Sequence, residues 1–498
     1  MNLLQDEWVP VKFKEHKRIS LADILCSEDC GTVFLPRDDL QFAAVQMCIC
    51  LVQSIFTPND RKELRARHKH PMSCEEYSKI SDQFADMFSV ESEETPFMQD
   101  IRTKENKTGI QKLLVGLPGG DSDTMFVPPN EITKICPSCA AIALFSMASG
   151  APSFGGGFKA PLRGSAPISV LIHDDNLRRM IWKNVIPKDS NWYSFLKDAE
   201  NLPVWIIPIE EGATVSVSNI GVIRGLFWQP ASVFLKWKEE NGICDCCGLN
   251  SDTFCREFDK QKFRYELSGQ WRHPHSSIKI SKEKKSYIPS FREETPAWEQ
   301  LSEIFPKNVG EVPPAVIQNS KIFTDEENLQ DLKQKITLSI GGYINNQASI
   351  LERHHYLVPL SSSLLSDEGI KTLRLLLDTA MEVKGCLKSS VMSFFKGLGF
   401  NLKDKKNSSF TREAEKMFFL QSENLIRESL SSYDDSTLLR MASDLEDICK
   451  SVLEETATPW LSNLLGEKAL LSAKNVLIRH INKIKLEFNN GGKDGSVK

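Results

Sequence analysis

Two short cysteine pairs stand far apart in this 498-residue chain: Cys136-Pro137-Ser138-Cys139 and Cys244-Asp245-Cys246-Cys247-Gly248. Each has the C-x-x-C spacing that lets two thiolates grip one metal ion. Four such thiolates make a tetrahedral zinc site with no open position. Cys136, Cys139, Cys244 and Cys247 are the candidate ligands, and Cys246 is a bystander. Gly248 suits the tight turn that follows such a pair. Two separate buried pairs, or a redox dithiol, are the alternatives. A redox dithiol goes with a βαβ pattern, and none is visible here. A full coordination shell predicts structural Zn2+ rather than metal catalysis.

The interval between the pairs holds an unusual loop, Ser153-Phe154-Gly155-Gly156-Gly157-Phe158-Lys159. Three consecutive glycines offer bare backbone and accept positive φ. Such a loop can lie against a ligand backbone or a DNA groove, or be a flexible turn. It is not a phosphate-binding P-loop, because no Gly-Lys-Ser/Thr follows. Phe154 and Phe158 can anchor it, and Lys159 and Arg163 can meet phosphates. Net charge over the chain is −5, yet residues 256–285 carry nine Lys or Arg against four acids. A second basic cluster lies at Arg61, Lys62, Arg65, Arg67 and Lys69. Each reads as a nucleic-acid footprint or as a solvated face. Farther on, Gly341-Gly342-Tyr343-Ile344 leads into Asn345, Asn346, Gln347 and Ala348. Amide side chains both donate and accept hydrogen bonds, which suits base edges; a polar hairpin tip is the plainer alternative. His273-Pro274-His275 reads more readily as structural, and His354-His355 is ambiguous. No persuasive nucleophile–base pair or nuclease-type carboxylate cluster is present.

Positioning these groups requires more than one core, because the chain is too long for a single domain. Its 41% hydrophobic and 26% charged content suit a soluble globular protein. No apolar run is long enough to cross a bilayer, and residues 1–8 lack the features of a signal peptide. The expectation is a cytoplasmic protein whose thirteen cysteines are free or metal-bound. Strands are expected at 33–36, 204–209 and 214–217. Asp38 is expected to cap a helix through Phe42, Val45, Ile49 and Val52, and 140–147 is helix-prone. Frequent Pro and Gly from 110 to 345 predict short elements and long loops. Helical periodicity then runs through Leu373, Leu376, Leu377, Ala380, Val383, Leu387, Val391 and Phe394. It returns at Ala414, Met417, Phe418, Leu425 and Ile426, and again at Leu438, Met441, Leu445, Ile448 and Val452. A last stretch runs through Leu464, Leu471, Val476, Ile478 and Ile481. The predicted fold class is α+β: a mixed α/β domain with a zinc site over 1–366, a four-helix bundle over 367–488, and a disordered tail over 489–498.

Several strings, in order along the whole chain, carry a family resemblance. They are Met1-Asn2-Leu3-Leu4 with Trp8-Val9-Pro10, Leu35-Pro36-Arg37-Asp38-Asp39, Pro96-Phe97-Met98-Gln99 and Cys139-Ala140-Ala141-Ile142-Ala143-Leu144-Phe145. Phe154-Gly155-Gly156-Gly157-Phe158-Lys159, Arg224-Gly225-Leu226-Phe227-Trp228-Gln229-Pro230-Ala231, Trp271-Arg272-His273-Pro274-His275 and Asn345-Asn346-Gln347-Ala348-Ser349-Ile350-Leu351-Glu352-Arg353 continue the series. Together they resemble the large subunit, the CasA family, of the type I-E CRISPR Cascade complex.

The resemblance implies a non-catalytic DNA-binding subunit of an RNA-guided antiviral surveillance complex. It would recognise the protospacer-adjacent motif (PAM) of double-stranded target DNA from the minor groove and wedge the strands apart to start an R-loop. The glycine loop maps to Gly155, Gly156 and Gly157, a lysine finger to Lys262, and a glutamine wedge to Gln347 between Asn346 and Ala348. A loop called L1, over about 125–135, maps its contact segment to Phe126 and Val127. Lys159, Arg163 and Arg353 are possible phosphate contacts. Implied partners are target DNA, the 5′ handle of the CRISPR RNA, the Cascade backbone and small subunits, and a helicase–nuclease; no membrane is implied. One zinc would fix the glycine loop and Lys262 relative to each other. A zinc-containing nucleic-acid-modifying enzyme and a purely structural RNA–protein scaffold are the alternatives.

Overall fold

The computed structural model describes residues 1–117, 131–196, 199–293, 295–323, 335–400 and 408–491. The described chain is mixed α+β, with many short helices, small sheets and a helical C-terminal region. It forms two compact units. One gathers Met1–Phe291, Asn308–Glu326 and Thr337–Leu357, and the other holds Arg292–Lys307 and Val358–Lys498. No described helix is long and apolar enough to cross a membrane.

The first unit is built on two helices that are apolar nearly all round, which is why both are buried. Asp38–Ile55 hides all but a few of its residues, and Pro137–Ser149 hides almost every one. They pack against each other. Of the buried polar groups on the first of these helices, the Ser54 hydroxyl has no partner, whereas Gln53 is well satisfied. Gln53 accepts from the Ile186 N–H at 2.6 Å and donates to the Ile186 carbonyl at 3.0 Å. Helix Pro137–Ser149 starts where Cys136 caps it with its sulfur and Pro137 takes the first helical position. Proline is tolerated there because its missing N–H would have no helical partner anyway. Phe88, Phe97, Phe145, Trp205 and Phe227 close the core beside it through edge-on ring contacts.

Two hairpins carry residues of the candidate sites. In the long hairpin, Ala231–Ile243 pairs antiparallel with Asn250–Lys262, from Ile243↔Asn250 to Ala231↔Lys262, with bulges near Trp237 and Gly242. Lys107–Gly109 adds a third strand on the far side of Asn250–Lys262. In the tip hairpin, Lys335–Asn346 and Ser349–Ser361 are joined by a two-residue turn at Gln347 and Ala348. Ser169–Ile172 extends that sheet, pairing Leu338↔Ile172 through Gly341↔Ser169.

Several local expectations are corrected. Residues 204–209 form turns, because Pro203 accepts from the Ile206 and Ile207 N–H groups and Trp205 turns inward to the Met87 carbonyl. Arg37, not Asp38, is the N-cap of the Asp38–Ile55 helix. The region between 110 and 345 holds two 13-residue strands rather than only short elements. The second of these, Asn250–Lys262, is mostly polar and gives little hydrophobic alternation; its order comes from pairing on both edges. The strands at Thr32–Val33 and Thr214–Ser216 are present as short elements.

The second unit contains the helical bundle. Asp367–Gly397 packs against Ser408–Ser431, Thr437–Ala457 and Leu464–Gly491. The first helix buries the apolar positions expected of it, from Leu373 to Phe394. The last does not. Leu464, Leu471 and Ile478 are exposed, and the buried face is Ala469, Ala473, Leu477, Ile481 and Ile484. Leucines seven apart mimic a heptad, but the small-residue face allows close approach: a Cβ on Gly397 would lie 3.0 Å from that of Ala469. Leu477→Ala should therefore destabilise the protein by about 2–5 kcal/mol. Leu471→Ala should change stability by no more than about 0.5 kcal/mol. Denaturant melts of both variants check this, and equal effects would contradict the assigned face.

Candidate nucleic-acid interface and metal centre

The four paired cysteines meet. Cys136 and Cys139 sit at the start of helix Pro137–Ser149, and Cys244 and Cys247 occupy the turn of the long hairpin. One sulfur from each lies within 4.8 Å of all the others, and all four are buried. The Cys136 and Cys247 sulfurs are 3.9 Å apart. A tetrahedron with 2.3 Å zinc–sulfur arms has edges of about 3.8 Å, so the cluster has the dimensions to hold such an ion. Gly248 adopts φ +73° and returns its N–H to the Cys244 carbonyl at 2.9 Å, closing the turn. The Cys136 and Cys246 N–H groups point at the Cys244 sulfur, at 3.3 and 3.4 Å. Cys246 itself is no part of the four-sulfur set.

Arg18 was not foreseen. Its Nη2 lies 3.2 Å from the Cys136 sulfur and 3.3 Å from that of Cys247, while Nη1 donates to the Asn250 carbonyl at 2.8 Å. Burial alone would lower the Arg18 pKa; the neighbouring sulfurs outweigh it and raise it. Cys247 is pulled far below its ordinary range because Cys136, Cys139 and Cys244 all offer it hydrogen bonds. Cys136 and Cys139, which offer those hydrogen bonds, are shifted the opposite way, so the cluster favours the thiolate, the form that binds metal, at Cys247. More than a hundred residues separate Arg18 from these cysteines, so no local pattern could reveal the pairing.

From this clasp the chain runs in two directions that meet again. Helix Pro137–Ser149 covers about 20 Å at 1.5 Å per residue. Strand Asn250–Lys262 covers roughly 40 Å at about 3.3 Å per residue. The four-cysteine cluster is therefore at the turn end of the long hairpin, remote from Lys262 at the open end, and does not fix that residue against the glycine loop directly. Aromatic contacts do. Phe258, Lys260 and Lys262 alternate onto one face of the strand. The Phe154 ring lies 6.0 Å from Phe258 and 5.5 Å from Phe158. The Lys260 ammonium sits over both loop rings, at 5.2 and 5.8 Å, and Lys262 sits 5.8 Å from Phe158.

Between these anchors Gly155, Gly156 and Gly157 take φ values of +80°, +55° and +84°. Three successive left-handed residues are natural only for glycine. A Cβ on Gly155 would come 3.3 Å from Ala348, and one on Gly157 would come 3.2 Å from the Lys262 ammonium; Gly156 faces open space. Three sequence-distant elements therefore converge on one surface: the glycine loop, Lys262, and the turn bearing Asn346, Gln347 and Ala348. Gln347 is exposed and left-handed at φ +54°, a conformation costing a non-glycine residue about 1–2 kcal/mol. Asn345 braces it, donating from Nδ2 to the Gln347 carbonyl at 2.6 Å and to the Ser165 hydroxyl at 3.1 Å.

The charges nearby sort cleanly. Lys262 is exposed and has no ion-pair partner among the described residues. Lys260 is half-buried; burial, aided by Lys112, lowers its pKa. Lys159 stays at the surface but pairs with Glu266 at 3.0 Å. Two expected phosphate contacts are corrected. Arg163 is only 2% exposed and spends its guanidinium on Ser149, Ser169 and Ser276. Arg353 is committed to Asp38 at 3.0 Å and to the Gly342 carbonyl at 3.0 Å. Phe126 and Val127 lie outside the described residues.

A second close group, Cys50, His273 and His275, is fully buried. The His273 Nδ1 accepts the His275 N–H at 3.1 Å, and the His275 Nδ1 faces the Gln46 amide at 3.0 Å. Burial and the nearby Arg163 hold both imidazoles neutral, with His275 lowered to about 3. A neutral imidazole has one free lone pair, and with the Gln46 amide donating, each is already used. The group is buried core with its Nδ1 atoms hydrogen-bonded, while both Nε2 atoms lie buried without a partner.

The chain matches the family model described as CRISPR-associated protein Cse1 over residues 2–458. It is 25% identical over 319 residues to the CRISPR-associated protein CasA/Cse1 of Thermus thermophilus; that match takes in 61% of this chain but only 59% of the relative's length. In three dimensions it is similar to the crystal structure of Thermus thermophilus CasA, with a TM-score of 0.76 at 17% identity, covering 97% of this chain and 99% of that one. The Thermobifida fusca Cse1 structure gives a TM-score of 0.74 at 17% identity, over 97% and 98% of the two chains. A chain of a CRISPR RNA-guided surveillance complex gives 0.71 at 14% identity, over 96% and 99%. At these identities the structural likeness concerns the fold. The family match, which spans most of the sequence, carries the assignment: the chain belongs to the Cse1 family of CRISPR-associated proteins.

Proposed function

We propose that this protein is a non-catalytic, PAM-reading subunit of a CRISPR RNA-guided surveillance complex. The observation that carries this reading is the meeting of Gly155–Gly157, Lys262 and Gln347 on one exposed surface. The minor groove of B-DNA is about 6 Å wide. A side-chain-free glycine backbone can enter it, and Gly156, with nothing within 4 Å of its Cβ position, is the point of closest approach. Lys262 supplies the unpaired positive charge beside the groove. Gln347 acts as the wedge at the edge of the motif. Unstacking a base step costs a few kcal/mol, which phosphate contacts and pairing of the target strand with the CRISPR RNA offset. On this reading the partners are target duplex, the 5′ handle of the RNA, the backbone and small subunits of the complex, and a helicase–nuclease. Phe126 and Val127 belong to the contact segment of the L1 loop.

Zn2+ is the metal that best suits the four-cysteine clasp, since thiolate donors in tetrahedral array favour it. Held there it would be structural: every coordination position is taken by Cys136, Cys139, Cys244 and Cys247, and Arg18 offsets the excess negative charge.

The interface is tested in the assembled complex. Lys262→Ala should weaken binding of a motif-bearing duplex by about 1.5–3 kcal/mol, roughly tenfold or more, as expected for losing a charge-assisted hydrogen bond. Gln347→Ala should impair strand opening more than initial binding. A duplex with the motif scrambled should lose the difference between wild type and both variants. Unchanged affinity and unchanged opening in both variants would remove the site assignment.

The metal is tested by elemental analysis of the purified chain, which should give close to one zinc. Cys136→Ser or Cys247→Ser should abolish it and destabilise the fold, whereas Cys246→Ser should retain it. Arg18→Met should keep the metal but weaken its hold by about 10–100-fold against a competing chelator, the usual effect of removing an outer partner. Full zinc retention in Cys247→Ser would refute the four-sulfur site.

A further inference from the structure

The Leu35-Pro36-Arg37-Asp38-Asp39 string lies far in sequence from every group in the proposed interface, yet its two carboxylates grip the hairpin that carries Gln347. Asp38 opens the helix Asp38–Ile55 and reaches one strand. Its Oδ1 lies 2.5 Å from the His355 Nδ1, and its Oδ2 accepts from the Arg353 Nε at 3.0 Å. Arg353 and His355 are two apart on a strand, so they share a face. Asp39 reaches the other strand: the Tyr343 hydroxyl donates to its Oδ2 at 3.0 Å. Arg37 holds Asp39 in place with two bonds, at 3.0 and 2.7 Å. Phe42, one helical turn on, packs edge-on against His355 at 5.3 Å and lies under the Arg353 guanidinium at 5.2 Å.

The grip is on both strands at once, and it is close to the turn. Tyr343 is four residues before Gln347 and Arg353 six after it, which places the clamp roughly 13–20 Å from the tip. Over that length a tilt of about 5° at the clamp moves Gln347 by roughly 1–2 Å, comparable to the contact distances of the site. The helix is an unyielding support, because it is buried nearly all round. Ser339 completes a chain by facing the His355 Nε2 at 2.9 Å. Ser339, His355 and Asp38 thus follow the order of a nucleophile triad. Two features make them a clamp instead: Arg353 occupies the second Asp38 oxygen, and Ser339 lies buried within a paired strand.

We propose that Asp38 and Asp39 are positioning residues that fasten the two strands of the tip hairpin and set the place of Gln347 against the glycine loop. The proposal rests on the reading of Gln347 as the strand-separating wedge. The two carboxylates touch no DNA; they act through the turn. Asp38 is not replaceable by a residue of one hydrogen bond, since each of its oxygens serves a different side chain of the same strand.

The test uses Asp38→Ala in the full chain and in the assembled complex, beside Gln347→Ala and the double variant. Amide hydrogen exchange over residues 344–350 of the free chain should quicken by about tenfold or more in Asp38→Ala, with exchange in the Asp38–Ile55 helix little changed. Strand opening at the motif, followed by a fluorescent base analogue, should fall about as far as in Gln347→Ala. The double variant should fall no further than Gln347→Ala alone, because groups acting through one another are not additive. If Asp38→Ala fails to fold, Arg353→Gln and His355→Gln cut the same link from the strand side. Unchanged exchange at the tip, or losses that multiply in the double variant, would overturn the proposal. Normal opening in Gln347→Ala would overturn the wedge reading beneath it. Impaired opening in Gln347→Ala with normal opening in Asp38→Ala would overturn the clamp alone.

Discussion

The clasp of four cysteine sulfurs is the constraint on which the first unit is organised. It joins the first turn of a buried helix to the turn of a long hairpin, two pieces of chain with more than a hundred residues between them. A bridge between the Ile135 and Cys255 backbones continues the join along the strand, at 3.0 and 2.9 Å. Once helix and hairpin share that origin, the path of each is set by its own regular rise. The glycine loop follows the end of the helix, and Lys262 ends the strand. Phe154 and Phe158 then lock the two together far from the cysteine cluster.

Charge is used sparingly around the resulting surface. Basic residues near it differ in their freedom, and the difference is a matter of geometry rather than of sequence position. Arg163 is buried among serine hydroxyls, Arg353 is held by a carboxylate and a carbonyl, and Lys159 is paired with Glu266. Lys262 alone among these is both exposed and without an acidic partner in the described residues. A long-range attraction for a polyanion needs uncompensated charge, so a whole-chain charge of −5 is no obstacle to it.

The left-handed backbone of Gln347 fits the same pattern of local cost supported from outside. A non-glycine residue at φ +54° persists because its neighbours over-determine it. Asn345 fixes the carbonyl of the turn, and the hairpin below is gripped by the carboxylates that open the Asp38–Ile55 helix. The exposed amide is therefore presented on a stiff mount rather than on a mobile loop.

Periodicity and motif chemistry alone were enough to read the α+β class, the C-terminal helices, the four cysteines that cluster and the glycine loop with its aromatic anchors. These are local properties: C-x-x-C spacing, triple glycine and helical repeats express themselves over a few residues. What depends on distant partners was not legible. The long polar strand Asn250–Lys262 shows no alternation of its own and is ordered by its neighbours on both sides. The buried face of the last helix is legible only at Ile481, because exposed leucines at seven-residue spacing mimic a core stripe that Ala469, Ala473, Leu477 and Ile484 form instead. Arg18 beside the sulfurs, and Asp38 and Asp39 beneath the Gln347 turn, have no sequence signal, since each acts across more than a hundred residues. Residue types determined which groups could bind metal or meet a nucleic acid. Only tertiary structure decided which basic side chains stay free to do so, because burial and counter-charge are set by what the rest of the chain places beside them.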